Sequence, residues 1–436
     1  AIALGLAWLL CAVPTPARSA PLEVIAPSGR PQITIDVALD PEARTLTGSM
    51  RIELVVDPAD PTTEALFFLY PEHLAIEPTL DDILFERVFP RRFDPASIEI
   101  LGAGVGVGAH REAVTVQRLE HAVPLLAVPL PEDAEPGQPL SVELSFRTTL
   151  PRRYGTFGAI RRTLTTSGGW HPLPVARTEG GWSTDGAPAR ADYRVRLTAP
   201  DDQFVVLGDA VAPALNRGPA IAANAFVPDA FPGPAIGPSS DGLRTIGWEG
   251  LNRRWVALCA RPAARQHNIP LADGSTLTWV GRPLTRGQLR WLRATADATR
   301  QTLVGLGVEP RNEGILVVEA PLRRRLVELG DGVLFVSDRF LEVDRLFWRY
   351  HDVHFARALM ATDLESAIVA REDPSLADPV LDGVSWELVG DYLNQRWRNH
   401  VSLRGLLQRF SFFPQVETLL ETPAFPFADQ IFDNPW

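Results

Sequence analysis

Ile33-Thr34-Ile35-Asp36-Val37-Ala38-Leu39-Asp40-Pro41-Glu42-Ala43-Arg44-Thr45-Leu46 is the stretch that decides how the first half of the chain folds. Ile33, Ile35, Val37 and Leu39 alternate with polar residues, the period of a strand with one buried face. Asp40-Pro41-Glu42-Ala43 turns the chain, and Leu46, Met50, Ile52 and Leu54 resume the alternation, with Gly48 read as a bulge. Similar runs follow at 65–69, 142–146, 193–197 and 204–207, and no long amphipathic helix interrupts them. Many strands separated by some of the 39 Pro and 33 Gly predict an antiparallel β-sandwich over residues 20–270. The run Gly102-Ala103-Gly104-Val105-Gly106-Val107-Gly108 does not fit a dinucleotide fingerprint and reads as a flexible turn.

The period changes near residue 275. Residues 276–280 read as a short strand, after which Thr285 and Gln288 form a capping box. A helix follows with Leu289, Leu292, Ala296, Leu303 and Leu306 at helical spacing, closed by Gly307 as a left-handed C-cap. Residues 315–319 and 333–336 read as buried strands, 344–362 and 382–398 as two further helices. Residues 275–436 therefore form a separate α+β domain, with no closing signal at Trp436, so the chain is expected to be truncated there.

Composition narrows the functional classes. With 45% hydrophobic and 22% charged residues, wholesale disorder and a polytopic membrane protein are excluded. A formal charge of −11 argues against a nucleic-acid partner. All 42 basic residues are Arg, which reads as the mark of a GC-rich bacterial genome rather than of function. Residues 1–13 form an apolar run, too short to span a bilayer, and Ala17 and Ser19 fit the small-residue positions of a signal-peptidase site. Residues 1–19 are thus an incomplete signal peptide, and the mature chain is exported, periplasmic or extracellular, without a transmembrane span. Its one cysteine, Cys259, excludes an intrachain disulfide and reads as a small buried hydrophobe.

One constellation carries chemistry: Tyr350-His351-Asp352-Val353-His354-Phe355, inside a predicted helix. Helix positions three and four apart lie on one side, which is how a single helix offers two imidazoles to a metal. The next predicted helix opens with Leu381-Asp382-Gly383-Val384-Ser385-Trp386-Glu387, adding two carboxylates.

A β-sandwich followed by an α+β domain with a histidine helix and a carboxylate helix resembles the aminopeptidase N family of gluzincin zinc peptidases. Residues 33–54 resemble that family's opening hairpin, and Gly169-Trp170-His171-Pro172 and Ala191-Asp192-Tyr193-Arg194-Val195 with Leu207-Gly208 resemble its later strands. The resemblance implies a thermolysin-like α+β domain, a zinc ion and a peptide or protein ligand. It places His351 at the first zinc ligand, Asp352 at the catalytic base and Asp382 at the third ligand. The motif departs from the family's His-Glu-x-x-His: the base is one methylene shorter, and Phe355, which cannot bind a metal, stands at the second ligand. His354 is the substitute, about 100° around the helix from Phe355, and Glu387 is an alternative carboxylate. Gly330-Asp331-Gly332 only echoes the family's exopeptidase motif, Gly-x-Met-Glu-Asn.

Plainer readings stand beside these. His351 and His354 are polar residues on a half-buried helix, Asp352 is a solvated charge and Asp382 an N-cap. Arg323-Arg324-Arg325 is a solvated loop, and His171 belongs to a packed β-turn. The reading adopted is an exported, non-catalytic homologue with a degraded zinc site, binding zinc weakly or not at all and keeping its cleft for peptide or protein. An active zinc peptidase with a His351, His354 and Asp382 site is the alternative, and an unrelated exported scaffold the third.

Overall fold

The computed structural model describes residues 30–369, except 56–61, 81, 108–109, 132–138, 179–180, 185–187, 215–234, 237–241, 311–313, 324 and 343–347, together with Leu388 and Tyr392. The expected signal peptide, Asp382 and Glu387 lie outside these residues.

The opening alternation becomes a hairpin. In strand Gln32–Asp40 the residues Ile33, Ile35, Val37 and Leu39 are buried, and Ile33 and Ile35 face Ile52 and Met50 of strand Thr45–Val55. Asp40 shapes the turn by accepting from the backbone N–H groups of Glu42 and Ala43, both at 2.9 Å. This hairpin lies inside an eight-stranded sheet ordered Ala235–Ile236, Leu243–Arg253, Ala191–Pro200, Gln32–Asp40, Thr45–Val55, Pro139–Thr149, Ser97–Val107, His110–Ala113.

Three expectations change here. The sheet is not wholly antiparallel, because Gln32–Asp40 and Ala191–Pro200 run parallel. Parallel neighbours need a long crossover, and the whole chain between these two strands supplies it. The glycine run is no turn: Gly102 to Val107 continue strand Ser97–Val107, with a register shift only between Ile100 and Gly102. Its alternate Val residues carry the period-two signal, and Val105 is buried. Gly48 makes no bulge; its register to Val37 and Phe146 is unbroken. A side chain there would collide with the Asp36 carbonyl, so close backbone approach explains the glycine.

Two smaller sheets cover the inner face. One comprises Leu173–Pro174, Glu64–Phe68, Leu125–Pro129 and Gln117–Leu119; the other Ala210–Ala212, Phe204–Leu207, Leu258–Arg261, Thr163–Thr166 and Phe157–Ile160. Ile35, Met50, Phe146, Val195 and Trp248 of the large sheet share one core with Phe67, Val128, Leu164 and Leu258 of the small ones.

The second part is built on a mixed sheet ordered Arg265–Pro270, Thr276–Gly281, Ile315–Ala320, Val333–Ser337, Val327–Gly330. The three central strands are parallel, and both edge strands are antiparallel to their neighbours. Helix Arg286–Gly305 starts at the expected capping box, with Thr285 N–H donating to Gln288 Oε1 at 2.9 Å and Gln288 N–H to Thr285 Oγ1 at 3.3 Å. Gly307 follows at φ +77, the left-handed conformation a C-cap requires. The histidine helix spans Trp348–Val369. No described helix is long and apolar enough to cross a membrane.

Cys259 is buried, and burial pushes its thiol up to about 11. Arg323 and Arg325 are not solvated: Arg325 is buried, while Arg323 pairs with Asp338 and lies 4.5 Å over the Tyr154 ring. A carboxylate and an aromatic face, both from other segments, hold the Arg323 guanidinium.

The hairpin joining Phe157–Ile160 to Thr163–Thr166 has Arg161 at φ +50 and Arg162 at φ +65. Two left-handed central residues make a type I′ turn, which favours Asn-Gly and costs other residues roughly 1–2 kcal/mol each. Arg162 pairs with Glu42 at 2.7 Å on the surface, where such pairs contribute about 0–1 kcal/mol. Arg161→Asn with Arg162→Gly should therefore raise the unfolding free energy by about 1–2 kcal/mol. An unchanged or lower urea midpoint would show that the turn stores no such strain.

Candidate functional site

The histidine helix directs its polar residues to different neighbours. His351 is 5% exposed, and its ring stacks on Phe340 with centroids 4.9 Å apart. Its Nδ1 lies 2.6 Å from the Phe340 carbonyl, which accepts the imidazole N–H. Burial lowers its pKa, opposed in part by that hydrogen bond. One turn further on, Phe355 is fully buried, with ring centroids 5.8 Å from both Trp291 and Phe340. The face carrying His351 and Phe355 thus runs into an aromatic core.

Asp352 is not the solvated charge that an isolated helix suggests. It is 0% exposed, accepts the Thr295 hydroxyl from helix Arg286–Gly305, and accepts the Tyr392 hydroxyl at 2.8 Å. Tyr392 and Leu388 pack with Val353, Ala356, Met360 and Leu364. Of the segment read as the carboxylate helix, these two described residues meet the histidine helix on the Asp352 side. His354 is half-buried; burial first, then the charges of Arg357 and His351, pushes its pKa down to about 3.

A second charged cluster fastens the far end of this helix. Arg300 is 3% exposed and donates to Asp273 at 2.6 Å, to Ser275, and to Asp363 of the histidine helix at 3.5 Å. Sequence reasoning missed Thr295, Tyr392, Arg300 and Asp363. The available signal was Thr295, Thr299 and Arg300 falling on the same side of their helix as Leu292 and Ala296.

A catalytic zinc takes three protein ligands and a water. Among the described residues no group of three His, Cys, Asp or Glu side chains is placed to hold a metal ion. His351 and Asp352 come to the same turn but not to the same point, Phe355 offers no donor, and His354 lies about 100° from Phe355 around the helix. The described donors do not fit a zinc centre. Asp382 and Glu387 lie outside the described residues.

Among the described residues His171 is a second buried imidazole. It sits edge-on to Trp170 and Tyr193, with ring centroids at 4.7 and 5.7 Å, and its Nδ1 is 2.9 Å from the Pro172 carbonyl. Burial lowers its pKa from 6.5 to about 4, with the carbonyl opposing. A lowered folded-state pKa means the unfolded chain binds the proton more readily. Stability from this group is therefore complete above about pH 6.5 and falls as pH drops towards 4, by about 3 kcal/mol in all. Unfolding free energies measured between pH 4 and 7 should show this slope, and His171→Gln should flatten it; a variant slope equal to wild type would assign the effect elsewhere.

Comparison with protein-family models and with curated proteins finds no match to this chain.

Proposed function

We propose that this chain is an exported, non-catalytic homologue of aminopeptidase N-type peptidases, with peptide or protein as its ligand in the cleft that fold provides. Three things support the reading: the apolar leader and its small-residue site, the resemblance of residues 33–54, 169–172 and 191–195 to that family's strands, and the order of elements in the second part. A mixed sheet with an antiparallel edge strand, a capped helix and then a histidine helix is the succession expected of a thermolysin-like domain.

The observation that carries the non-catalytic reading is the setting of Asp352. A general base must reach the water it deprotonates, directly or through one intermediary. Asp352 is instead enclosed, with one oxygen taken by Thr295 and the other by Tyr392. Phe355 fills the second-ligand position with core. Asp352 then serves as a structural acceptor joining three segments, and zinc binds weakly or not at all. One observation favours the active alternative: His351 gives its Nδ1 side to a backbone carbonyl, as metal-ligating histidines do to fix their tautomer.

Metal analysis of the purified chain after zinc loading and desalting, paired with a peptide-hydrolysis assay, decides between the two. Sub-stoichiometric zinc and no hydrolysis are expected. One zinc per chain lost on His351→Ala, with hydrolysis lost on Asp352→Asn, would establish an enzyme instead. The structural role makes a separate prediction: Asp352→Ala removes two buried hydrogen bonds to a carboxylate, from Thr295 and Tyr392, and should cost about 2–4 kcal/mol of stability. A loss below about 1 kcal/mol in denaturant unfolding would contradict it.

A further inference from the structure

The joint between the two parts has an apolar centre and an ionic margin. At the centre Phe204, Val206, Ala257 and Cys259 meet Val280, Leu316, Val318 and Phe335. At the margin lies the edge strand Val327–Gly330, whose one neighbour in the sheet among the described residues is Val333–Ser337. Its ties to the β part that flank this edge are polar. The Thr156 hydroxyl donates to Glu328, which is buried. Asp331, in the turn that follows, accepts Arg253 Nη1 at 3.1 Å on one oxygen and the Arg254 backbone N–H at 2.7 Å on the other. Arg253 is shared: its Nη2 donates to Asp209 at 2.6 Å, and Asp209 also accepts the Trp248 indole N–H at 2.8 Å. Gly332 follows at φ +84, and a Cβ there would sit 2.8 Å from Arg253 Nη1, so a glycine lets the guanidinium come this close.

We infer that Gly330-Asp331-Gly332 is an ionic latch that holds the edge strand against the β part and opens separately from the apolar joint. The two are separable because no side chain of residues 327–332 belongs to the apolar centre; Val327 and Leu329 pack against the helical layer instead. Both Asp331 oxygens face donors, so the latch depends on a carboxylate. An amide keeps one accepting oxygen but must turn its NH2 towards the other donor, so one substitution loses one of the two contacts and sets donor against donor. This inference is independent of any zinc or peptide chemistry.

Hydrogen exchange read by mass spectrometry on the full chain tests it. In Asp331→Asn and in Arg253→Gln, amides of 327–332 should exchange roughly 10- to 100-fold faster. Those of Ile315–Ala320 and Leu258–Arg261 should keep wild-type rates, and the double variant should be no faster than the faster single one. Equal acceleration everywhere would make the pair a global stabiliser, and unchanged rates at 327–332 would make it inert; either overturns the latch. Should Asp331→Asn fail to fold, Arg253→Lys keeps the charge without the fork. It must then show the same local acceleration in smaller measure, or the latch is refuted.

Discussion

The mixed sheet is buried on both faces, and most of the second part follows from satisfying that requirement. Parallel strands rarely face water, so each face needs an apolar partner. Alternation divides the load residue by residue. Ile315, Val317, Leu334 and Val336 point into the helical layer with Leu292, Ala296 and Phe355. Leu316, Val318, Val333 and Phe335 point the other way, onto Phe204, Val206 and Cys259 of the β part. Phe355 is therefore a filling residue of the helical layer, and a polar side chain there would face Trp291 and Phe340. The same double burial makes the β part a necessary cover for the second part, which leaves little freedom for hinge motion between them.

Burying a sheet on both faces also brings charges inside at its ends. Glu319, close to the end of a central strand, is 3% exposed and accepts Arg282 Nε at 2.8 Å, while Arg261 donates to its backbone carbonyl at 3.0 Å. Arg253 and Arg300 bridge pairs of carboxylates in the same manner. A planar guanidinium with five donors can serve several acceptors at once, as a point-like ammonium cannot, and arginine is the chain's one basic residue besides histidine. Such pairs gain little net free energy over an apolar replacement but penalise any arrangement that separates them. In the seam between the parts they fix orientation where apolar packing alone would permit sliding.

Local patterns were legible in the sequence where one segment carries the whole signal. The opening hairpin, the capping box at Thr285 and Gln288, and the cap at Gly307 each needed only neighbouring residues, and each forms where the spacing puts it. What escaped depends on distant partners. The parallel pairing of Gln32–Asp40 with Ala191–Pro200 cannot be read from either strand. The glycine run looked flexible because glycine removes side-chain signal, although its valines kept the alternation. Arg323 looked solvated because its partners Tyr154 and Asp338 are supplied by other segments. Within the candidate site, the helix and its residues were legible but their directions were not, since Thr295 and Tyr392 come from 57 and 40 residues away.

The presence of a histidine at 351 and a phenylalanine at 355 has a physical account that needs no metal. The Phe340 carbonyl lies in a buried region, where an unmet acceptor costs about 1–3 kcal/mol. A side chain that both donates to that carbonyl and stacks on the adjacent ring must be flat, compact and carry an N–H, and imidazole meets all three demands. Burial lowers the pKa of His351, which favours the neutral ring, and a neutral ring donates at Nδ1 without bringing an unpaired charge into the core. Asp352 is subject to a similar argument, since a shorter carboxylate between two hydroxyls needs less room than glutamate. Two positions that read as remnants of a metal motif are thus each explained by what they satisfy in the fold, and it is the fold's demand that selects their side chains.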